Sequence, residues 1–225
     1  MSADAAVITR AVVERIVREA VARRLGAAPL PEKDGTHTLA VHASARHMHL
    51  SRADLDTLFG TGYELTPEKD LYQAGNFAAA ETVTLIGPRR RTLTNVRVLG
   101  PLRKDSQIEL SFTDAIQLGI DAPVRLSGNI DGTPGCIVIG PKGVVELPKG
   151  VIRAAIHVHM NPAEAAHYGV KQGGLMKLRI LGPAPTVFEG VQVRIDPTSR
   201  LNVHMDTDEA NACALHLATG FELFT

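Results

Sequence analysis

The chain contains nine histidines, and five of them fall in a pattern that can bind metal. His47 and His49 flank Met48, and the arrangement recurs 110 positions on, from His47 to His157, where His157 and His159 flank Val158. In an extended strand successive side chains point to opposite faces. The two imidazoles of each HxH therefore share a face and can grip one ion, while Met48 and Val158 turn away. Each motif runs into the same local grammar: His49-Leu50-Ser51-Arg52-Ala53-Asp54, His159-Met160-Asn161-Pro162-Ala163-Glu164 and, with a single histidine, His204-Met205-Asp206-Thr207-Asp208-Glu209. Ser51, Asn161 and Asp206 are helix N-cap residues, an acid follows three positions later, and Pro162 sits where the first turn of a helix tolerates it. Each histidine thus closes a strand just before a helix, with Gly60, Gly169 and Gly220 as the expected stops. Asn202 stands where the third copy lacks its earlier histidine. The matched contexts imply an internal duplication.

A lone HxH is more often a surface or hydrogen-bonded pair than a ligand pair. Two in matched contexts, with His204 in a third, favour metal. Zinc, cobalt and nickel all accept imidazole, and five histidines leave open coordination positions, which suits a catalytic site better than a structural one. His37, His42, His167 and His216 have no comparable context and read as surface or packing residues. Arg103, after a strand and turn, and Arg194, within a strand, are either ordinary surface arginines or, beside a metal, bidentate clamps for phosphate. The glycine-containing turns at 127–129 and 131–135 allow close backbone approach to a ligand, although hairpin turns use the same residues. No Walker A, GxSxG or GxGxxG motif is present, which removes the common nucleotide and α/β-hydrolase readings.

These residues need strands to position them, and β-branched runs broken by Gly and Pro supply them at 82–86, 94–99, 107–111, 124–126, 135–139, 175–180 and 190–195. Few helices interleave, so a mainly β fold with short α elements is expected, built from antiparallel sheets or small barrels. Ahead of it, residues 6–25 carry Ile8, Val12, Ile16, Val17, Val21 and Leu25 along one helical face, and residues 27–36 read as a linker. A lone helix of this length is marginal in water, so its apolar face packs on its own domain, pairs in an oligomer, docks on another protein or lies on a membrane surface. The 225 residues are 44% hydrophobic and 21% charged, and 24 basic residues balance 24 acidic ones. An ordinary globular fold follows, with no global field for nucleic acid or an anionic membrane. Aromatic residues at 4% with no Trp argue against base-stacking surfaces. Cys136 and Cys213 are isolated, and neither a long apolar run nor a secretory leader is visible, so a cytoplasmic protein is expected.

The segments Ser44-Ala45-Arg46-His47-Met48-His49-Leu50-Ser51, Val83-Thr84-Leu85-Ile86-Gly87-Pro88, Gln107-Ile108-Glu109-Leu110, Thr113-Asp114-Ala115, His157-Val158-His159-Met160 and His204-Met205-Asp206-Thr207-Asp208-Glu209-Ala210-Asn211-Ala212 together resemble the phosphate propanoyltransferases of the PduL type. The likeness covers the chain from about residue 38 to the C-terminus and implies two similar β-barrels capped by short helices. It divides them as 37–46 with 155–225, and 47–154. It also implies two zinc ions, one on His47, His49 and Glu109, the other on His157, His159 and His204. Gln73, Asn76, Arg103, Gln107, Ser127 and Arg194 would surround them, with the arginines facing phosphate. The implied reaction joins a short-chain acyl-CoA, propanoyl-CoA first, and phosphate to give acyl phosphate and coenzyme A, reversibly and by direct transfer. Cys136 and Cys213 have no nearby base in sequence to support an acyl-enzyme.

This sequence departs from the family pattern at Ile156, where an arginine usually precedes the first histidine of the second motif, and at Asn76, where Gln or Glu is usual. The resemblance further implies that residues 1–26 dock on shell or core enzymes of a bacterial microcompartment; a homo-oligomer is expected, and the balanced charge points to neither nucleic-acid nor membrane partners. A di-metal hydrolase of a thioester or phosphoester would use the same ligands on water. A non-catalytic metal-binding microcompartment protein would use them for stability alone.

Overall fold

The computed structural model describes residues 39–71 and 75–225; the expected helix and linker of residues 1–36, together with His37 and Gln73, lie outside the described residues. In chain order the elements begin with β1 (Ala40–Ser44), β2 (His47–His49), α1 (Arg52–Phe59), β3 (Pro67–Asp70), β4 (Phe77–Ile86), β5 (Thr92–Gly100), β6 (Gln107–Glu109) and α2 (Phe112–Leu118). They continue with β7 (Val124–Arg125), β8 (Cys136–Ile139), β9 (Val144–Leu147), β10 (Val151–Ala154), β11 (His157–Met160), α3 (Pro162–Tyr168), β12 (Leu175–Leu181), β13 (Thr186–Ile195), β14 (Asn202–Asp206), α4 (Thr207–Ala212) and β15 (Gly220–Phe224).

The strands form two sheets, each curled into a half-barrel, so the protein is mainly β with short helices. One sheet has the order β1-β14-β11-β13-β12-β15; the other runs β7-β10-β6-β2-β5-β4-β8-β9, with β3 added beside β4. The expectation of antiparallel sheets is corrected, because both are mixed. β2 lies between parallel β5 and antiparallel β6, and β11 lies between parallel β13 and antiparallel β14. A parallel neighbour requires a crossover. The chain supplies one after each HxH strand, running through α1 to β5 and through α3 to β13.

Each half closes on its own core. Met48, Leu50 and Ile108 are fully buried or nearly so in one, and Val158, Met160 and Val203 in the other. Strand alternation accounts for the arrangement: the residue between each histidine pair faces the core, which turns the imidazoles to the opposite face. Burying such a side chain contributes about 1.5–3 kcal/mol, enough to fix the register of these very short strands.

The strand-to-helix joints form as their sequences require. Asn161 and Asp206 make full capping boxes with Glu164 and Glu209. Ser51 accepts from the Asp54 amide, and the Asp54 carboxylate turns instead to the Ser106 hydroxyl. Gly60 and Gly169 end α1 and α3. Gly220 does not end α4, which stops at Cys213; Ala214 then enters the left-handed region at φ 47° and starts a 3-10 turn, leaving Gly220 to open β15.

Candidate metal centre

The register between β2 and β6 pairs His47 with Glu109 and His49 with Gln107. The register between β11 and β14 pairs His157 with His204 and His159 with Asn202. Two antiparallel strand pairs thus present matching sets of three potential ligands from equivalent positions.

In the first set, one ligand atom each from His47, His49 and Glu109 lie within 4.8 Å of one another. His47 Nδ1 is 2.9 Å from the Ala45 carbonyl, which leaves Nε2 to face Glu109 Oε2 at 3.4 Å. Glu109 Oε1 is occupied differently, accepting from the Ser127 hydroxyl at 2.7 Å and from Gln107 Nε2 at 2.7 Å. Gln107 also donates to Ser127 Oγ, while its amide oxygen accepts from the Gly128 N–H. One carboxylate oxygen is therefore held by protein donors, with His49 Nε2 4.0 Å from it, and the other is directed at His47, an outer shell of the kind that orients metal ligands.

The second set repeats this design. His157 Nδ1 is 2.8 Å from the Ala155 carbonyl, and its Nε2 lies 3.1 Å from His159 Nε2. The His204 ring stacks on His157 at a centroid distance of 5.4 Å and meets His159 edge-on at 5.2 Å. Ser44 Oγ and Asn202 Nδ2 lie 3.3 and 2.8 Å from its two ring nitrogens.

Electrostatics keep three of the imidazoles neutral and Glu109 ionised, while favouring a proton on His47. Burial, reinforced by neighbouring imidazoles, pushes His49, His159 and His204 down to about 3, so these rings are neutral. Burial opposes ionisation of Glu109, but the adjacent His47 and the Ser127 hydroxyl overcome it and hold the carboxyl well below the usual range. Burial also disfavours the charged form of His47, and the Glu109 carboxylate outweighs that, raising it. Neutral imidazoles and an ionised carboxylate are the ligand forms a metal binds.

Both sets line one cleft of about 360 Å³. Arg103, Arg194, Ser127 and Asn76 line it as well. The Arg103 backbone N–H donates to the Leu50 carbonyl, at the end of the β2 segment, and its guanidinium donates to Ser127 Oγ at 3.0 Å. Arg194 stands opposite His159 in the register of β13. Burial, with Arg194 nearby, lowers the affinity of Arg103 for its proton, although Glu109 opposes this. Two guanidinium groups near one another suit a shared anion better than an empty site.

His42 departs from the surface or packing assignment. It lines the cleft beside its parallel-register neighbour His204, at a ring distance of 6.3 Å. His167 and His216 are exposed. Sequence reading without the resemblance missed Glu109, although its signal was present: Glu109-Leu110-Ser111-Phe112-Thr113-Asp114 repeats the histidine grammar with Glu in the histidine position. Ser111 caps α2 as Ser51 caps α1.

Among the described residues, no helix is long and apolar enough to cross a membrane. The sequence model of the phosphate propanoyltransferase family matches residues 40–216. The chain is 52% identical to the phosphate propanoyltransferase of Planctopirus limnophila, over 99% of this chain and 96% of that protein. It is 51% identical to that of Thermotoga maritima, over 79% and 85% of the two chains, and 44% identical to that of Rhodobacter capsulatus, over 92% and 94%. With the match spanning both histidine motifs and the cleft they line, the chain belongs to the phosphate propanoyltransferase family of transferases.

Proposed function

We propose that this protein converts a short-chain acyl-CoA, propanoyl-CoA first, and phosphate into acyl phosphate and coenzyme A, reversibly, at a site holding two zinc ions. The observation that carries this reading is the meeting of the His47, His49 and Glu109 group, three further histidines and two arginines in one cleft. The donor chemistry fits zinc: two imidazoles and a carboxylate come from His47, His49 and Glu109, and three imidazoles from His157, His159 and His204, both familiar zinc environments. Zinc, when bound, supplies Lewis acidity and positive charge close to the reacting carbonyl.

The remaining work falls to the chain's own side chains. Arg103 and Arg194 hold the phosphate dianion, their guanidinium forks matching its oxygens. Ser127 fixes the Arg103 guanidinium through its 3.0 Å hydrogen bond. Gln107 and Ser127 keep Glu109 aimed, and Asn76, which lines the cleft, borders the substrate, a role that the resemblance alone extends to Gln73. Holding phosphate against the thioester replaces a collision by positioning. A phosphate oxygen bonds to the carbonyl carbon, the C–S bond breaks, and the thiolate leaves with its electron pair. The arginines offset charge that develops on the carbonyl oxygen. The same contacts serve the reverse reaction. Direct transfer is supported by the state of the cysteines: burial pushes the Cys136 thiol up to about 12, and buried Cys213 donates to the Ala210 carbonyl.

The test is coenzyme A release from propanoyl-CoA, with and without phosphate, on native, chelated and zinc-restored protein. Release that requires both phosphate and metal is expected. Release without phosphate would replace this reading by a thioesterase, and release unaffected by chelation would remove the metals from the mechanism. We further propose that residues 1–26 are a docking segment for microcompartment shell or core enzymes, and that the chain works as a homo-oligomer in the cytoplasm, inside a microcompartment. The amphipathic pattern of residues 6–25 supports the docking role.

A further inference from the structure

Four strand-to-helix joints build the two ligand sets, and in three of them the acid at the third helical position reaches the residue just before the partnering strand. Asp54 of α1 accepts from the hydroxyl of Ser106, which precedes β6. Asp114 of α2 accepts from Arg46, which precedes β2, at 2.9 Å. Glu164 of α3 accepts from the backbone N–H of Leu201, which precedes β14, at 3.1 Å. Each contact ties together the two units of one half. By the same rule Glu209 of α4 should reach residue 156, before β11. That residue is Ile156, whose buried apolar side chain cannot donate as the side chains of Arg46 and Ser106 do, and the Glu209 carboxylate meets Arg153 and the Asp206 N–H instead.

Arg153 takes the vacant role from a different place. Its Nε donates to Asp206 Oδ2 at 2.9 Å, and a terminal nitrogen lies 3.5 Å from Glu209 Oε1. The guanidinium carbon also lies 5.6 Å from the centre of the Phe112 ring at the start of α2. Arg153 belongs to β10, in the nine-stranded sheet, whereas Asp206 and Glu209 belong to the six-stranded half that carries His204. Where the first half is tied internally by Arg46, the second is tied across to the first. The neighbouring contact runs the same way, with the Thr113 N–H of α2 donating to Asp208 Oδ2 of α4 at 2.7 Å.

We propose that Arg153 is a positioning residue that fixes the six-stranded half, and with it His204, against the half carrying His47, His49 and Glu109. Asp206 lies two positions beyond His204 on β14 and continues directly into α4, so a pull on its carboxylate is transmitted to the histidine strand. The two halves are also joined by the two-residue links from β1 to β2 and from β10 to β11, and the Arg153 seam braces them beside those links, so a substrate engaging both sets depends on it. The proposal rests on the transferase reading for its kinetic consequence, but its structural consequence is independent of metal and substrate.

The experiment compares the full chain with Arg153→Met and with the double variant Arg153→Met/Ile156→Arg, which returns an arginine to the internal position. Spin labels on Asp131→Cys and Glu189→Cys, both exposed and one in each half, report the distance between halves, the native cysteines being buried. In Arg153→Met the label distance distribution should broaden, and kcat should fall at least tenfold with the KM for phosphate changed less than threefold. In the double variant thermal stability should recover, while the broad distribution and low kcat persist. An unchanged distribution and kcat in Arg153→Met, even with lower stability, would overturn the proposal. So would recovery of kcat in the double variant, because an internal tie would then suffice. If the parent shows no phosphate-dependent release, the transferase reading fails on its own, and the label distances still decide the role of Arg153.

Discussion

Ser127 has no place among the six candidate ligands, yet it holds two of the charged groups that matter. Its hydroxyl donates to Glu109 Oε1 and accepts from both Arg103 and Gln107. Removing it frees a carboxylate and a guanidinium at once. Ser127→Ala should therefore lower activity or first-site metal affinity by about 10–100-fold, as loss of groups that orient metal ligands does. Metal titration of the variant checks this, since an affinity equal to the parent's would leave the serine a bystander. At this scale the histidines were the legible part of the site, because an HxH pair advertises itself by spacing alone. Ser127 and Gln107 were not legible without the resemblance. Their roles come from a turn and a neighbouring strand meeting in space, and nothing in the local pattern of a Ser-Gly-Asn turn distinguishes a ligand-orienting hydroxyl from an ordinary hairpin.

Short strands hold this site, and the middle residue of each HxH does the holding. Met48 in β2 and Val158 in β11 are fully buried, each in a separate core. Met48→Ala should destabilise the protein by about 2–5 kcal/mol through lost burial and the cavity left behind. Denaturant unfolding measures it, and a loss below about 1 kcal/mol would mean that β2 is held by its hydrogen bonds instead. The strand-to-helix joints were readable from capping residues, and the helix stops at Gly60 and Gly169 followed from glycine's freedom at a C-terminal cap. Other elements gave no signal. β3 is exposed at every position and so shows no alternation. Helix α2 was hidden because its joint carries Glu109 where the others carry histidine. Pairing direction was misread for a different reason: it depends on which strand lies beside which, a property of the crossovers rather than of any strand's composition.

At the scale of the whole chain the duplication is the main fact, and it is imperfect in an informative way. The 110-residue spacing of the HxH motifs made two related halves legible, as did the shared capping grammar. The pairing of a strand at residues 40–44 with one at 202–206 was not legible from pattern, because periodicity carries no information about contacts so distant in sequence. Residues 1–26 belong to this scale too, because the described residues already contain both candidate ligand sets without them. Deleting them should leave phosphate-dependent release within about threefold of the parent, a change under about 1 kcal/mol, while abolishing co-purification of shell or core enzymes with the chain. Equal co-purification with and without the segment would end the docking role. The place of β1 has a separate consequence during synthesis. A ribosome delivers the residues of the nine-stranded half, from β2 to β10, as one continuous stretch, but β1 is made before them and finds its partner only when β14 emerges. Of the described strands the first to be translated waits for nearly the last, so a chain stalled before residue 202 already contains His47, His49 and Glu109 while the second set lacks His204.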